Sequence, residues 1–343
     1  MVPPGTRRKM ILLLMIMTPG IPEYLTGSSP ITYLVTDQFK FFFGLLTNLG
    51  LYSTGALLIR EFAVRYRKGW PSILALGCAY GIMEEGISVH TFFQLGGNPV
   101  NLLGIYGRYM GVNWVWALGL TFFHAIFSIG LPILFLRIAY PQHSREPLLG
   151  RGSAKVVGLF YGTTVLILNL VLLGISRLTP ERPMPTALDY LFFGLLSLLL
   201  VWIAWKLPSN LFEPRGKGST GRKRFFLAGD LVFTIYIIYA YLPAKPDGSG
   251  RIPFLLDMIL FVASYFLLLC VILRNLPTHN NDRELFSLAL GLLTPLLVWA
   301  EIVELAGLAP FITVVTLISI AFISRLRKMV NNRAFSTDIQ SLV

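Results

Sequence analysis

Residues 71–93 read PSILALGCAYGIMEEGISVHTFF. The run is long and apolar enough to cross a bilayer, which takes about 20 mostly apolar residues for a core of about 30 Å. Glu84 and Glu85 are its only acidic or basic side chains apart from His90. A soluble amphipathic helix spreads its charges along one face. This segment instead sets two carboxylates side by side deep in an apolar run, so the fold class and the candidate chemistry start from the same residues.

Nine further runs resemble it: 10–25, 39–59, 114–136, 154–175, 188–205, 225–243, 253–273, 285–305 and 308–325. Across the 343 residues 55% are apolar and only 13% are charged, against roughly 25% charged in soluble proteins. So few charges cannot clothe a soluble surface, and a chain this hydrophobic is not disordered. The reading is an all-α, polytopic transmembrane helical bundle of about ten spans. Residues 1–343 form a single integral membrane domain, with 71–175 as its candidate functional core and 188–325 as additional transmembrane helices. The first run follows Arg7, Arg8 and Lys9 and is interrupted by Pro19 and Pro22. It resembles the start of a signal peptide but has no small-x-small cleavage site. It is read as an uncleaved, broken first helix.

The net charge of +12 tests this map. With the N-terminus in the cytoplasm, alternation puts 60–70, 137–153, 206–224, 274–284 and the C-terminal tail on the same side. Together with the N-terminus and Lys155 these segments hold 23 of the 29 Lys and Arg residues. Arg108, Arg177, Arg182, Lys245 and Arg251 fall outside, and Lys40 starts the second span. That is the positive-inside pattern, with both termini cytoplasmic in a multi-pass protein of the cell membrane. The positive charge therefore calls for no nucleic acid. The 206–224 loop, with Lys217, Arg222, Lys223 and Arg224, is expected to touch anionic lipid headgroups. Its Gly216–Thr220 stretch lacks the spacing of a phosphate-binding loop. Cys78 and Cys270 form no disulfide framework or CxxC motif. The external segment 94–113, rich in glycine (Gly96, Gly97, Gly104, Gly107, Gly111) and aromatics, reads as an interfacial lid or a compact loop.

Ionisable groups at membrane depth are functional candidates by default. At about 1.5 Å per residue, Glu84, His124 and Asn169 lie about 18–22 Å from the cytoplasmic ends of three consecutive spans. A helical step of about 100° puts Gly77, Tyr80, Gly81, Ser88 and Thr91 on the Glu84 face and turns Glu85 toward Cys78, Val89 and Phe92. Gly77 and Gly81 form a GxxxG pair that admits a neighbouring helix. His124 shares its face with Ser128, and Pro132 is expected to loosen that helix. Two adjacent carboxylates in low dielectric do not both ionise unaided. Beside a histidine they suit a general base that activates water, a cation site, or a proton relay. Hydrogen-bonded glue between helices is the plain structural alternative. Glu301 and Glu304, one turn apart, suit an ion site, a gate, or a cap near water. His90 follows Glu85 at a spacing poor for a shared metal, and His143 and His279 fall in cytoplasmic loops. Asp230, Asp257 and Glu304 lie near the interfaces.

An EE pair followed about forty residues later by an aromatic-flanked histidine resembles the CAAX-protease and bacteriocin-processing family of intramembrane proteases. That family's pattern is EExxxR, then FxxxH, then HxxxN or a variant. Here Glu84 and Glu85 open the first motif, with Val89 at its arginine position. Leu120 stands at the phenylalanine position before His124, and Val165 precedes Asn169 where histidine is often found. The resemblance covers about residues 71–175. It implies Glu84 as the water-activating glutamate, Glu85 as its proton partner, and His124 and Asn169 as supports for water and oxyanion. Tyr80, Ser88 and Ser128 would stand behind them.

The expectation is an intramembrane, protease-like hydrolase acting on a hydrophobic peptide or lipid-like substrate within the lipid bilayer. No metal or other cofactor is expected. The alternatives are a secondary transporter or ion-coupled carrier using the same Glu/His cluster, and a non-catalytic membrane scaffold.

Overall fold

A computed structural model describes residues 2–30, 32–94, 106–178, 184–209, 211, 221–245, 249–275 and 282–340. Gly96, Gly97, Gly104, Arg182, the Gly216–Thr220 stretch with Lys217, and His279 lie outside the described residues. The helices in chain order are α1 (Pro4–Pro19), α2 (Tyr33–Thr36), α3 (Gln38–Thr47), α4 (Thr54–Arg65), α5 (Trp70–Ile82), α6 (Trp114–Phe123) and α7 (Leu131–Ala139). They continue as α8 (Arg151–Leu178), α9 (Ala187–Lys206), α10 (Arg222–Tyr241), α11 (Phe254–Asn275), α12 (Asp282–Leu305) and α13 (Ile312–Gln340). A two-residue hairpin, β1 (Arg108–Tyr109) with β2 (Val112–Asn113), is the sheet among the described residues.

Among the described residues, seven helical segments are long and apolar enough to cross a membrane. Two join elements end to end, Gln38–Arg65 and Trp114–Ala139, and the others are α8 to α12. They match seven of the ten expected runs. The remaining three runs fall on α1, on α5, and on α13.

Among the described residues, four stretches widen from the α-helix into π turns: Gly20–Tyr24, Asn48–Ser53, Met83–Ser88 and His124–Gly130. Such turns are rare and mostly occur as single bulges, often at functional sites. Two of them sit at prolines. Pro19 and Pro22 cannot donate a backbone hydrogen bond, and the helix passes them by widening rather than breaking. Pro132 lies in the first turn of α7, directly after the π turn, where its missing N–H costs little.

Trp114–Ala139 is the most enclosed of the seven segments. It supplies Phe127 and Phe135 to an apolar core shared with α10 to α13, and Ile129 and Ile133 to a second core shared with α1, α4 and α5. The expected GxxxG contact is present. A Cβ on Gly77 would lie 2.7 Å from Ala125 Cα, and one on Gly81 would lie 3.1 Å from His124 Cβ. Glycine thus brings α5 into backbone contact with the helix that carries His124. Gly291 does the same elsewhere: a Cβ there would lie 2.0 Å from the Phe226 carbonyl oxygen, which fixes α10 against α12.

Segments expected on the cytoplasmic side gather at one end of the bundle. Buried Arg60 donates to the carbonyls of His143, Ser144 and Glu146 and pairs with Glu61 at 2.9 Å. Glu61 also accepts from the Leu148 amide at 2.7 Å. Lys68 donates to the carbonyls of Trp205 and Leu207. Arg333 donates to the Ile138 carbonyl and pairs with Asp282. At the other end, Tyr106 donates to Asp257 at 3.2 Å, and Arg108 holds the carbonyls of Phe93, Gln94 and Gly111. The part of 94–113 that is described is thus pinned to the bundle.

Candidate functional site

Each of the four π turns delivers a polar side chain to the interior. Glu84 and Glu85 come from Met83–Ser88, His124 and Ser128 from His124–Gly130, Tyr52 from Asn48–Ser53, and Glu23 from Gly20–Tyr24. A π turn closes from residue i to i+5 and advances less per residue than an α turn. Side chains that the 100° rule splits between faces can then share one.

That is the outcome at Glu84 and Glu85. His124 Nε2 stands 2.8 Å from Glu85 Oε1, and His124 Nδ1 stands 3.4 Å from Glu84 Oε2. The expected turn of Glu85 toward Cys78 and Phe92 is therefore corrected: both glutamates meet the same imidazole. All three residues are buried, at 2%, 8% and 2% exposure for Glu84, Glu85 and His124. Ser128 Oγ lies 2.9 Å from His124 Nδ1, as expected for a residue one turn along that face. Thr91 donates to Glu85 Oε2 rather than to Glu84. Tyr80 sets its ring edge toward His124, with centroids 6.0 Å apart. Ser88 turns back onto its own helix and donates to the Met83 carbonyl at 2.9 Å.

The centre extends through Tyr52. Its hydroxyl donates to Glu23 Oε1, and its ring lies 5.9 Å from that of His124. Glu23 Oε2 accepts from Ser29 at 2.6 Å. Among the described residues, His124 is the only basic partner of these three glutamates. The remaining partners are hydroxyls. Two buried polar atoms of this centre, Glu84 Oε2 and the Tyr80 hydroxyl, have no hydrogen-bond partner among the described residues. Glu84, Glu85 and His124 each offer a ligand atom within 4.8 Å of the others, a spacing that a metal ion can use.

Asn169 belongs to a neighbouring cluster. Its side-chain amide donates to the Ile87 carbonyl at 2.6 Å and to the Tyr190 hydroxyl at 2.8 Å, and lies 3.0 Å from His90 Nε2. None of its hydrogen bonds reaches Glu84, Glu85 or His124. The cause is length: α8 begins at Arg151 rather than at 154, so Asn169 lies about 27 Å along it, beyond the level of Glu84. His90, in a left-handed conformation with φ of 60° just past the π turn, reaches back to meet it. Glu301 and Glu304 stand at the turn into α13. Glu304 accepts from the amides of Phe311 and Thr313, and Glu301 accepts from the Thr313 hydroxyl at 3.0 Å. These contacts cap a helix start.

Sequence reasoning missed Glu23 and Tyr52. Glu23 carried a signal, as the only charged residue in the run 10–25. The rule that picks out Glu84 applies to it equally. Tyr52 carries none that periodicity can read.

No curated protein and no solved structure matches the chain. A family match exists, and it supports a membrane protein without adding support to the CAAX-protease resemblance of residues 71–175. Over residues 12–326 the chain matches the family described as an uncharacterized membrane protein family, and it belongs to that family.

Proposed function

We propose that this protein is an intramembrane hydrolase working on a hydrophobic peptide or lipid-like substrate. The observation that carries the reading is the meeting of Glu84, Glu85 and His124 at 2.8 and 3.4 Å in a buried centre. Glu84 Oε2, without a hydrogen-bond partner, suits a base that takes a proton from water. The hydroxide so formed adds to a substrate carbonyl. The imidazole of His124, 3.4 Å from Glu84 and held between Glu85 and Ser128, carries the proton taken by Glu84 on to the leaving group. The distant CAAX-protease resemblance assigns Glu84 the same role.

The site is set in a ten-span protein of the cell membrane with both termini in the cytoplasm. The gathering of Arg60, Lys68, Arg137 and Arg333 segments at one end supports that orientation, as does the charge distribution. Arg222, Lys223 and Arg224 at the start of α10 would then face anionic headgroups.

A second reading has its own observation. The chain Ser29–Glu23–Tyr52 leads away from the Glu/His centre through hydroxyl and carboxylate groups, the parts of a proton path in an ion-coupled carrier. One experiment separates the two. Membrane peptides and lipids are profiled in cells carrying wild type or Glu84→Gln at equal abundance. A product that disappears only with Glu84→Gln is the result expected of the hydrolase. An unchanged profile with altered solute uptake would replace the hydrolase with the carrier.

A further inference from the structure

We infer that Glu84, Glu85 and His124 hold a single divalent transition-metal ion, zinc being the best fit. The inference rests on the centre being the working site and gives it a cofactor, with Glu84 and His124 then holding the ion rather than moving protons.

Charge is the first argument. Glu23, Glu84 and Glu85 enter one apolar interior with no Lys or Arg beside them among the described residues. Burying an ionised carboxylate costs several kcal/mol unless it is paired. A dication offsets Glu84 and Glu85, with His124 as a neutral ligand, and Glu23 is left to the hydroxyls of Tyr52 and Ser29.

Geometry is the second. Ligands at about 2.1 Å from a tetrahedral zinc are about 3.4 Å apart. The three ligand atoms lie within 4.8 Å of one another, with His124 Nε2 and Glu85 Oε1 at 2.8 Å. Glu84 Oε2, 2% exposed as a residue, has no hydrogen-bond partner to give up. Two carboxylates and one imidazole leave a fourth position for water, the pattern of a catalytic rather than a structural zinc site.

The surroundings supply the third argument. The second atom of each of two ligands is already held by a hydroxyl. Ser128 bonds His124 Nδ1 and Thr91 bonds Glu85 Oε2, so a metal would take Nε2 and Oε1 by parting the 2.8 Å contact between them. Outer contacts of this kind fix ligand orientation in metal sites. The imidazole disfavours magnesium and calcium, and neither cysteine joins the set to favour a soft metal.

The test uses the full-length protein in detergent, stripped with dipicolinate and then titrated with zinc chloride or cobalt chloride. The expected result is one zinc per chain after dialysis and visible d–d absorption with cobalt. His124→Ala should abolish both. Ser128→Ala keeps every ligand and should weaken binding about 10- to 100-fold, and Glu304→Gln should bind as wild type. The inference is overturned if the stripped wild-type protein, its melting transition intact, takes up no stoichiometric zinc and shows no cobalt bands. Equal binding by wild type, Ser128→Ala and His124→Ala would also overturn it. Product formation that survives complete metal removal sinks the metal and leaves the hydrolase. Stoichiometric zinc with an unchanged Glu84→Gln product profile does the reverse.

Discussion

Replacing Gly77 by alanine adds one methyl group at a close helix crossing beside the Glu/His centre. The new Cβ would lie 2.7 Å from Ala125 Cα and 3.1 Å from both Ala125 Cβ and the Ala125 carbonyl oxygen. Carbon atoms prefer about 3.5–4.0 Å. The deficit is therefore about 1 Å against backbone, which no rotamer change relieves. Overpacking of this kind costs about 1–3 kcal/mol, while alanine in a helix gains up to about 1 kcal/mol over glycine. Gly174→Ala in α8 isolates the two effects, since a Cβ there has nothing within 4 Å and brings only the propensity gain. Unfolding of both variants in mixed micelles should place Gly77→Ala below Gly174→Ala by about 1–3 kcal/mol. Gly77→Ala should also weaken any activity of the centre, because α5 carries Glu84 and Glu85 away from His124 as it retreats. Equal stability of the two variants, within about 0.5 kcal/mol, would refute the close approach of α5 to the His124 helix.

Other perturbations reach the fold at separate points. Gly291→Ala puts a Cβ 2.0 Å from the Phe226 carbonyl oxygen and should lower the yield of folded protein more than Gly77→Ala does, as read by size-exclusion chromatography. Glu61→Ala leaves the guanidinium of Arg60, 3% exposed, without its carboxylate. The expected loss is about 3–5 kcal/mol, and proteolysis of the 140–150 segment should speed up, whereas unchanged protection would argue against the clamp. Glu304→Ala removes the acceptor of the Phe311 and Thr313 amides at the start of α13, with a small loss of stability and no effect on the product profile expected. A lost product there would return Glu304 to the site.

Long apolar runs and the one-sided placement of basic residues were enough to read a helical membrane protein, because lipid leaves the backbone few other ways to satisfy its hydrogen bonds. Glu84 and His124 were legible for a related reason: a charge at membrane depth is costly, so it stands out. Gly77 and Gly81 were legible by spacing. What the sequence hid traces mostly to the π turns. A 100° step turns Glu85 away from His124, yet the widened Met83–Ser88 turn brings both glutamates to one imidazole. The same step places Ser88 and Thr91 beside Glu84, whereas Ser88 bonds its own backbone and Thr91 bonds Glu85. Asn169 was judged by depth alone, and a helix starting at Arg151 carries it past the centre to His90 and Tyr190. Glu23 was lost because Pro19 and Pro22 made the first run look broken, although helix continues through both.

The central claim is that Glu85 and His124 form one buried unit with Glu84, and a double-mutant cycle measures it most directly. Glu85→Gln, His124→Gln and the double variant would be unfolded reversibly in mixed micelles beside wild type. With 2.8 Å between Glu85 Oε1 and His124 Nε2 and both residues buried, a coupling energy of about 1–3 kcal/mol is expected. Single losses that add to the double loss within about 0.5 kcal/mol would contradict the account, because residues that do not touch are the ones that add.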